Sequence, residues 1–500
     1  MQKAERGEDC YSKKEKRFTL MSEIGNNKTV NTKLLLKSGM WYTVSNFLTR
    51  SLVFLTTPIF TRLMTNKQYG DFSIFASWQS IFLIICGIEI YATLNRARFD
   101  YKEKKEQDSY ISSCLILSTV ITAVFFLIYL IFDDFFYELL LLDRKYIFAM
   151  FTYLFAYPAF AMFQAKQRIE YRYKLSAALS LSLLIIASAA SVTFVCLWSE
   201  DRLFGRIIGQ YVPYVIVGVI LYLSFLKKSI TIKIESWKYA LKMGVPLVFS
   251  FLGSQILLYS DRIVVQHLNS SNEVAFLSLA TTCAHIMLIF VQTLNNAWAP
   301  WFYDKLNNGE YRSIRKVFRV YMWFIVICTF CVLMIGPEVV WILGGQNYNE
   351  SVYILPANML CGIFTALTAQ FVNFETFYKK THYSAVLTLI AAVINIVLDI
   401  ICVMQWGYRA ACYVTVFCQI LLITMHYIMT MKMNIQKILS LRDLAAEILV
   451  SAALIPLALI FYQAAAVRWG VIIGILILIS VIAIVKRKKI IGFLKKYEKM

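Results

Sequence analysis

The chain has 500 residues, of which 59% are apolar and 16% charged, and its mean hydropathy is +0.62. Ordinary soluble domains contain about 45–50% apolar and about 25% charged residues. A water-soluble core cannot bury so large an apolar fraction, so we expect the chain to lie in a lipid bilayer. Soluble enzymes and soluble nucleic-acid-binding proteins are therefore excluded, even though the net charge is +20.

The first 37 residues are polar and basic and contain no pattern typical of a cleavable signal peptide. Apolar segments long enough to cross a bilayer then follow one another along the chain. They lie at 38–62, 72–94, 110–132, 146–165, 175–198, 203–226, 239–260, 274–298, 318–342, 351–374, 382–405, 408–431, 442–463 and 468–485. Because only helices or closed barrels satisfy the backbone in lipid, these lengths predict an all-α polytopic membrane protein with about fourteen transmembrane helices.

Positive charge predicts the orientation of these helices. With the N-terminus in the cytoplasm, the cytoplasmic segments hold 40 of the 50 Lys and Arg residues, and the outer segments hold nine. The positive-inside rule then places both termini in the cytoplasm, and it explains the basic excess without a nucleic-acid partner. The outer loops are short, and the chain carries no nucleotide-binding, zinc-protease or serine-hydrolase motif, so we expect no enzymatic activity, cofactor or metal centre.

Short blocks of sequence recur about 205 residues apart. In each copy a Lys-x-Gly segment opens a span, an Arg closes it, and a related turn follows. One copy has Lys37-Ser-Gly39, Thr61-Arg62 and Tyr69-Gly70, and the other has Lys242-Met-Gly244, Asp261-Arg262 and Val274-Ala275. Six helices per copy keep the same orientation, which predicts two lobes related by a pseudo-twofold axis along the membrane normal.

This repeat predicts the domain organisation and the transport path. It gives a cytoplasmic basic tail at 1–37, an N-terminal six-helix lobe at 38–226, a C-terminal six-helix lobe at 227–431, and a terminal helix pair with a basic tail at 432–500. The substrate path is expected between the two lobes.

Arg50 lies near the middle of the first span, where a charge costs about 2.5–3.5 kcal/mol on insertion scales. At about 100° per residue, Asn46 and Thr57 share its face of the helix. This stripe predicts a helix that borders a hydrated cavity; the alternative is an Arg50 that pairs with a carboxylate such as Glu89 and locks two helices together. Pro58 in the same span is a candidate hinge.

Other intramembrane polar residues suggest binding or coupling. His285 and Gln292 share one face of the eighth span and are candidates for substrate contacts or for helix–helix hydrogen bonds. Glu89 and Asp399 are candidates for coupling to a proton or Na⁺, with structural pairing as the alternative for Glu89. Because Arg50 makes the middle of the membrane positive, an anionic head group such as a pyrophosphate suits this path better than a cationic drug.

Four motifs occur in order between residues 38 and 431: the opening KSGMWYTVSNFLTRSLVFLTTPIFTRLMTNKQYGDFSIF, the seventh-span block with Gly244, Pro246, Asp261, Arg262 and Ser278, the segment from Pro337 to Leu343-Gly-Gly-Gln-Asn-Tyr348, and Lys380-Thr381 followed by Asn395-Ile-Val-Leu398, Gly407 and Ala410-Ala411. This ordered set resembles bacterial polysaccharide-repeat-unit flippases of the multidrug/oligosaccharidyl-lipid/polysaccharide exporter superfamily. The chain departs from their pattern at Asp399, where Asn is common, at Arg409, which is often Gly, and at Ala275, which replaces a Gly.

The resemblance implies a flippase that moves an undecaprenyl-diphosphate-linked oligosaccharide to the outer leaflet of the bacterial cytoplasmic membrane, by rocking its two lobes. It implies that arginines engage the anionic head group; Arg50 matches by position, and Arg62 and Arg262 at helix ends are further candidates. The polymer could be O-antigen, capsule or exopolysaccharide, with the polymerase and glycosyltransferases of that pathway as partners.

Two other functions remain open. A cation-coupled multidrug exporter of the same fold would depend on Glu89 more than on Arg50. A membrane glycosyltransferase or polymerase would need a large outer loop with catalytic acids, and Asp133 and Asp134 stand in a short one.

Overall fold

The computed structural model describes residue 48 and residues 51–170 and 172–474. Within these ranges the regular structure is helical throughout, without a β-strand. The α-helices are α1 Ser51–Leu63, α2 Asn66–Gly87, α3 Ile90–Asp100, α4 Lys104–Ile131, α5 Asp133–Leu140, α6 Arg144–Ile169, α7 Tyr173–Leu197, α8 Arg202–Lys228, α9 Ile234–Leu268, α10 Ser271–Asn307, α11 Tyr311–Met334, α12 Gly336–Gly344, α13 Ser351–Phe377, α14 Thr381–Trp406, α15 Arg409–Met431, α16 Leu441–Tyr462 and α17 Ala465–Gly474. Two 3₁₀ turns lie at Gln346–Tyr348 and Ile435–Lys437.

The second to the thirteenth of the predicted membrane spans are confirmed as helices. Twelve helices in the described part of the chain are long and apolar enough to cross a bilayer, with α2 and α3 together forming one of them. The shorter apolar helices α1 and α17 lie where the first and fourteenth spans are predicted. The chain is therefore a multi-pass, all-α membrane protein.

The described loops fall on two sides of the helical bundle. We call the side with the turns at 101–103, 170–172, 229–233, 308–310, 378–380 and 432–440 the basic side, because most of the Lys and Arg residues outside the spans lie on or next to these turns. The other side, with α5, α12 and the turn before α13, is called the opposite side.

Helix packing repeats between the two halves of the chain. In the N-terminal half, α8 packs extensively against α6 and α7; in the C-terminal half, the corresponding helix α15 packs against α13 and α14. The α16 helix lies outside this repeat and packs on α11 and α13. These equivalent contacts agree with two related six-helix lobes, while the exact residue boundaries of the lobes stay a prediction.

The two lobes meet where the repeated turn motifs cross. A Cβ atom on Gly70 would lie 1.8 Å from the carbonyl oxygen of Ser271 and 3.3 Å from the backbone nitrogen of Ala275. Only glycine permits so close a crossing of α2 and α10. Since Gly70 and Ala275 are equivalent positions of the repeat, their contact is what a pseudo-twofold axis between the lobes requires.

The second span bends sharply between α2 and α3. Ile88 and Glu89 both have left-handed backbone angles, with φ of 46° and 49°, which are unfavourable for residues other than glycine. Before the bend, α2 packs extensively on α9 and α10, whereas α3 packs chiefly on α6 of its own lobe. The lobes are therefore in closest contact on the opposite side.

Candidate functional site: an interlobe cleft and its gate

Three side chains of the N-terminal lobe donate hydrogen bonds to the main chain of the C-terminal lobe on the opposite side. Thr61 bonds the carbonyl oxygen of Leu343, Arg62 bonds that of Ile342 at 3.1 Å, and Asn66 bonds that of Asn347 at 3.2 Å. The carbonyls of Ile342 and Leu343 belong to the last turn of α12, where helix carbonyls have no partner within the helix. We call these three bonds the gate; they close the interlobe contact on this side.

Aromatic rings fill the space beneath the gate. Tyr348 is fully buried, and its ring meets the edges of Tyr69 at 5.9 Å and Phe276 at 6.0 Å between centroids. Behind Tyr69, the buried guanidinium of Arg206 stacks against Phe72 at 3.7 Å and Phe60 at 4.2 Å. These ring contacts exclude water and reinforce the closure.

The turn that carries the receiving end of the gate is tied to its own lobe. Glu350 accepts hydrogen bonds from Arg409 and, at 2.9 Å, from the Tyr408 hydroxyl. The bond from Arg409 is the main cause that lowers the pKa of Glu350 below its usual value, so the carboxylate stays ionised at neutral pH. The gate turn is thereby held to the start of α15.

One face of α10 runs from the gate toward the basic side. His285, Gln292 and Asn296 lie within about 60° of Ser271 around this helix. His285 is half-buried, and Gln292 and Asn296 are exposed. Because α3 has bent toward α6, this end of the α10 face has no extensive contact with α3.

A network of neutral polar groups joins the same half of α10 to α13. The Asn295 side-chain oxygen accepts hydrogen bonds from Asn373 at 2.9 Å and from Gln370 at 3.4 Å, and the Tyr303 hydroxyl donates to Asn373 at 3.5 Å. Amide and phenol groups can exchange such bonds for bonds to sugar hydroxyls.

Two carboxylates lie inside the C-terminal lobe, on α9 and α14. Thr415 donates to Asp261 at 3.0 Å, and Ser260 donates to Asn395 at 2.7 Å. Asp399 is fully buried; neither of its oxygens, nor one oxygen of Asp261, has a hydrogen-bond partner within the described residues. A buried carboxylate without a partner is costly, and a bound proton or a cation with oxygen ligands relieves that cost.

Glu89 occupies a different environment, at the bend of the second span in the N-terminal lobe. Its side chain is buried next to Tyr91, and one carboxylate oxygen lacks a partner among the described residues. The two sequence-predicted coupling candidates, Glu89 and Asp399, therefore lie in different lobes.

A family model described as "Polysaccharide biosynthesis protein" matches residues 35–305, which is more than half of the chain. The chain belongs to this polysaccharide biosynthesis family. A second model, described as MatE, matches residues 246–401. A relative from Haemophilus influenzae, "Lsg locus putative protein 1", is 21% identical, over 72% of this chain and 90% of that protein.

Solved structures share the fold of this chain. The lipid II flippase MurJ in an inward closed conformation is 14% identical, with a TM-score of 0.65 over 90% of this chain and 100% of that chain. An inward-facing multidrug resistance MATE family transporter of the MOP superfamily is 15% identical, with a TM-score of 0.57 over 78% and 95%. These likenesses show that the chain shares the helical fold of these two transporters.

The structure describes only some of the residues that the sequence predicts as functional on the first span. Arg50 and Asn46 lie outside the described residues. Thr57 is buried and bonds the carbonyl of Val53 at 2.9 Å, one turn before the gate. Pro58 lies within a continuous α1. The Arg62 guanidinium, which also donates across the lobes, donates a hydrogen bond to the Pro58 carbonyl oxygen at 3.0 Å.

Arg262, the repeat counterpart of Arg62, makes no hydrogen bond or ion pair across the lobes within the described residues. Its guanidinium lies 5.4 Å from the centre of the Tyr259 ring on its own helix. Arg62 lies at the end of α1, whereas Arg262 lies within α9, which continues to Leu268, and Arg62 is the one that contributes to the gate.

Several side chains of the gate and of the C-terminal lobe could not be identified from the sequence. Arg206 gave no signal, and Tyr348 stood only at the end of a motif, because the importance of both comes from rings contributed by distant segments. Asp261 stands in one of the motifs. The signal for its importance is that it occupies, in the second copy of the repeat, the position that Thr61 occupies in the first. A fully buried pair, Glu375 and His426, joined at 2.7 Å, also ties α13 to α15.

Proposed function

We propose that this protein flips a polyprenyl-diphosphate-linked oligosaccharide repeat unit across the cytoplasmic membrane by alternating access, for the biosynthesis of a cell-surface polysaccharide such as O-antigen, capsule or exopolysaccharide. The observation that carries the proposal is the gate that closes the contact between the lobes, together with the face of α10 that runs from it and bears exposed amides. A cleft that closes at one end while its polar wall extends toward the other is the arrangement that alternating access requires.

The polar groups of the cleft favour a sugar-phosphate cargo. Gln292, Asn295 and Asn296 supply neutral donors and acceptors on α10, while Asp399 is fully buried within its lobe. A lipid tail can remain in the bilayer while only the head group crosses. We propose Arg50, Asn46, Thr57, His285 and Gln292 along this path, with Arg50 as the partner of the diphosphate.

We propose that the basic side faces the cytoplasm, with both termini on that side, because Lys and Arg accumulate in cytoplasmic loops. The cargo then enters from the basic side and leaves past Thr61, Arg62 and Asn66. Arg62 and Arg262 lie at the exit end of the path, and Pro58 is the proposed hinge of the gate-bearing helix.

The energy source is proposed to act at the carboxylate pair in the C-terminal lobe. A proton or Na⁺ bound between Asp261 and Asp399 would remove their repulsion, so its arrival and departure would change how α9 and α14 pack. Glu89 at the bend of the second span is the second candidate.

Transport of defined polyprenyl-diphosphate oligosaccharides into proteoliposomes tests the proposed cargo. Arg50→Gln should abolish transport, because a neutral amide cannot replace the charge of the guanidinium toward the diphosphate. Lys102→Gln, which removes an exposed charge from the loop before α4, should transport normally. A well-inserted Arg50→Gln protein that transports at the wild-type rate would contradict the proposal.

A second candidate function is a cation-coupled multidrug exporter, which is favoured by the MatE match over 246–401, the segment that contains both buried aspartates. Expression of the exporter would raise resistance to cationic drugs, and Arg50→Gln would leave that resistance intact. A flippase would give no such resistance and would depend on Arg50.

Coupling is tested with the same vesicles and an imposed proton or Na⁺ gradient. Asp399→Asn should reduce the acceleration of transport by the gradient about tenfold or more. Asp304→Asn, at an exposed position, should retain that acceleration. If Glu89→Gln loses the acceleration and Asp399→Asn keeps it, the coupling site lies in the N-terminal lobe instead.

A further inference from the structure

Four basic side chains lie together at the start of α11, on the outer surface of the C-terminal lobe. Arg312, Arg315, Lys316 and Arg319 follow the helical spacing i, i+3, i+4 and i+7, and therefore share one side of the helix. They line a groove of about 910 Å³. The transport path does not use this groove, since α11 packs on α10 and α13 of its own lobe and on the additional helix α16.

The same side of α11 becomes apolar one turn further into the membrane. Val320, Trp323, Phe324 and Ile327 continue the lining of the groove, and the last three are each 48% exposed. The basic segment covers about 10 Å along the helix axis and the apolar segment about another 10 Å. These lengths correspond to the head-group layer and the upper hydrocarbon layer of one leaflet.

Acidic neighbours neutralise only part of the basic segment. Asp443 on α16 pairs with Arg315 at 2.6 Å and with Arg319 at 3.3 Å, and Glu447 on the same helix lies near Arg319. Arg312 and Lys316 are exposed and have no ion-pair partner among the described residues. Two acids against four bases leave a net positive surface where lipid phosphates lie.

We propose that this groove is a specific binding site for an anionic phospholipid of the leaflet on the basic side. Arg312 and Lys316 hold the phosphate, with Arg315 and Arg319 oriented beside it by Asp443. One acyl chain lies along Trp323, Phe324 and Ile327. Charge complementarity selects an anionic head group, and the exposed apolar side chains select a molecule with a chain rather than free phosphate.

Native mass spectrometry of the purified full chain, titrated with phosphatidylglycerol or phosphatidylethanolamine, tests this site. The wild-type protein should bind phosphatidylglycerol more tightly. Arg312→Gln with Lys316→Gln should weaken phosphatidylglycerol binding about thirtyfold and leave phosphatidylethanolamine binding unchanged, because two cations near a lipid surface each contribute about 1 kcal/mol.

The matched control removes the same two charges elsewhere on the basic side. Lys227→Gln with Lys228→Gln, at the exposed end of α8, should retain the preference for phosphatidylglycerol. An Arg312→Lys, Lys316→Arg exchange should also retain it, which shows that the first variant lost charge rather than fold. Equal binding of both lipids by the wild type, or equal losses in both double variants, would overturn the proposal.

The acyl-chain half of the site has its own measurement. Phosphatidylglycerol brominated on its acyl chains should quench Trp323, and Trp323→Phe should remove that part of the quenching; Trp341→Phe, on the opposite side and 58% exposed, should not. If a polyprenyl phosphate displaces phosphatidylglycerol at equimolar concentration, the groove holds the transported lipid and the phospholipid assignment is wrong. Failure of the flippase proposal would leave these binding results unchanged.

Discussion

Arg62 illustrates how the position of a charged side chain decides its role. Its guanidinium lies at the end of α1, where it bonds the carbonyl of Pro58 in its own helix and that of Ile342 across the lobes. A hydrogen bond from a charged donor is worth about 1.5–3 kcal/mol, and the neutral bond from Thr61 about 0.5–1.5 kcal/mol.

Removal of these donors should open the gate. Arg62→Gln with Thr61→Val should shift the population toward the open state, since water can satisfy the α12 carbonyls that lose their partners. A cysteine that replaces the buried Tyr348, in a background without native cysteines, should then react with a membrane-impermeant maleimide about tenfold faster. Lys67→Gln, which removes an exposed charge nearby but no gate bond, should leave the rate unchanged; equal rates in all three proteins would refute a role for the gate bonds.

The α2 helix shows what a hydropathy pattern can and cannot predict about an element. The sequence predicts one span at 72–94, and the structure confirms a span there but divides it at Ile88 and Glu89. Two left-handed residues other than glycine persist only when surrounding contacts hold them. Those contacts come from distant segments: a Cβ on Gly244 of α9, for example, would lie 2.5 Å from the Ile88 carbonyl oxygen.

Two glycines of α2 provide a matched test of the lobe crossing. Gly70→Ala should hinder closure, because the new Cβ would lie 1.8 Å from the Ser271 carbonyl oxygen, and labelling at position 348 should rise. Gly87→Ala meets no atom within 4 Å and should behave like the wild type. Thermal unfolding of both variants in detergent separates a shifted gate from a misfolded protein. A Gly70→Ala protein with wild-type labelling and stability would show that the crossing tolerates a side chain.

At the scale of the whole molecule, the architecture could be predicted from the sequence more fully than the site. Fourteen apolar segments and a repeated motif are local signals, and the helices and equivalent packing agree with them. The gate joins residues about 280 positions apart, such as Arg62 and Ile342, and its acceptors are backbone carbonyls that carry no sequence signal. The prediction for Arg50, whose residue lies outside the described ranges, stays open.

The proposed orientation can be checked in intact cells. Single cysteines at Lys102 and Asn308, in turns of the basic side, should resist an impermeant maleimide added outside. Cysteines at Asp134 and Glu200, on the opposite side, should react, because the excess of Lys and Arg keeps the basic side in the cytoplasm. Permeabilised cells provide the control in which all four positions react. The reverse pattern would invert the direction of transport proposed for the cargo.

The acceptors of the three gate bonds have an evolutionary consequence. Every residue type has a main-chain carbonyl, so the turn around Ile342, Leu343 and Asn347 can change its side chains and still receive Thr61, Arg62 and Asn66. Selection can therefore change the side chains of this turn to suit bulkier or differently branched glycans, while the three gate bonds are retained. Divergent homologues should therefore vary more in the side chains of Ile342, Leu343 and Asn347 than in those of the three donors.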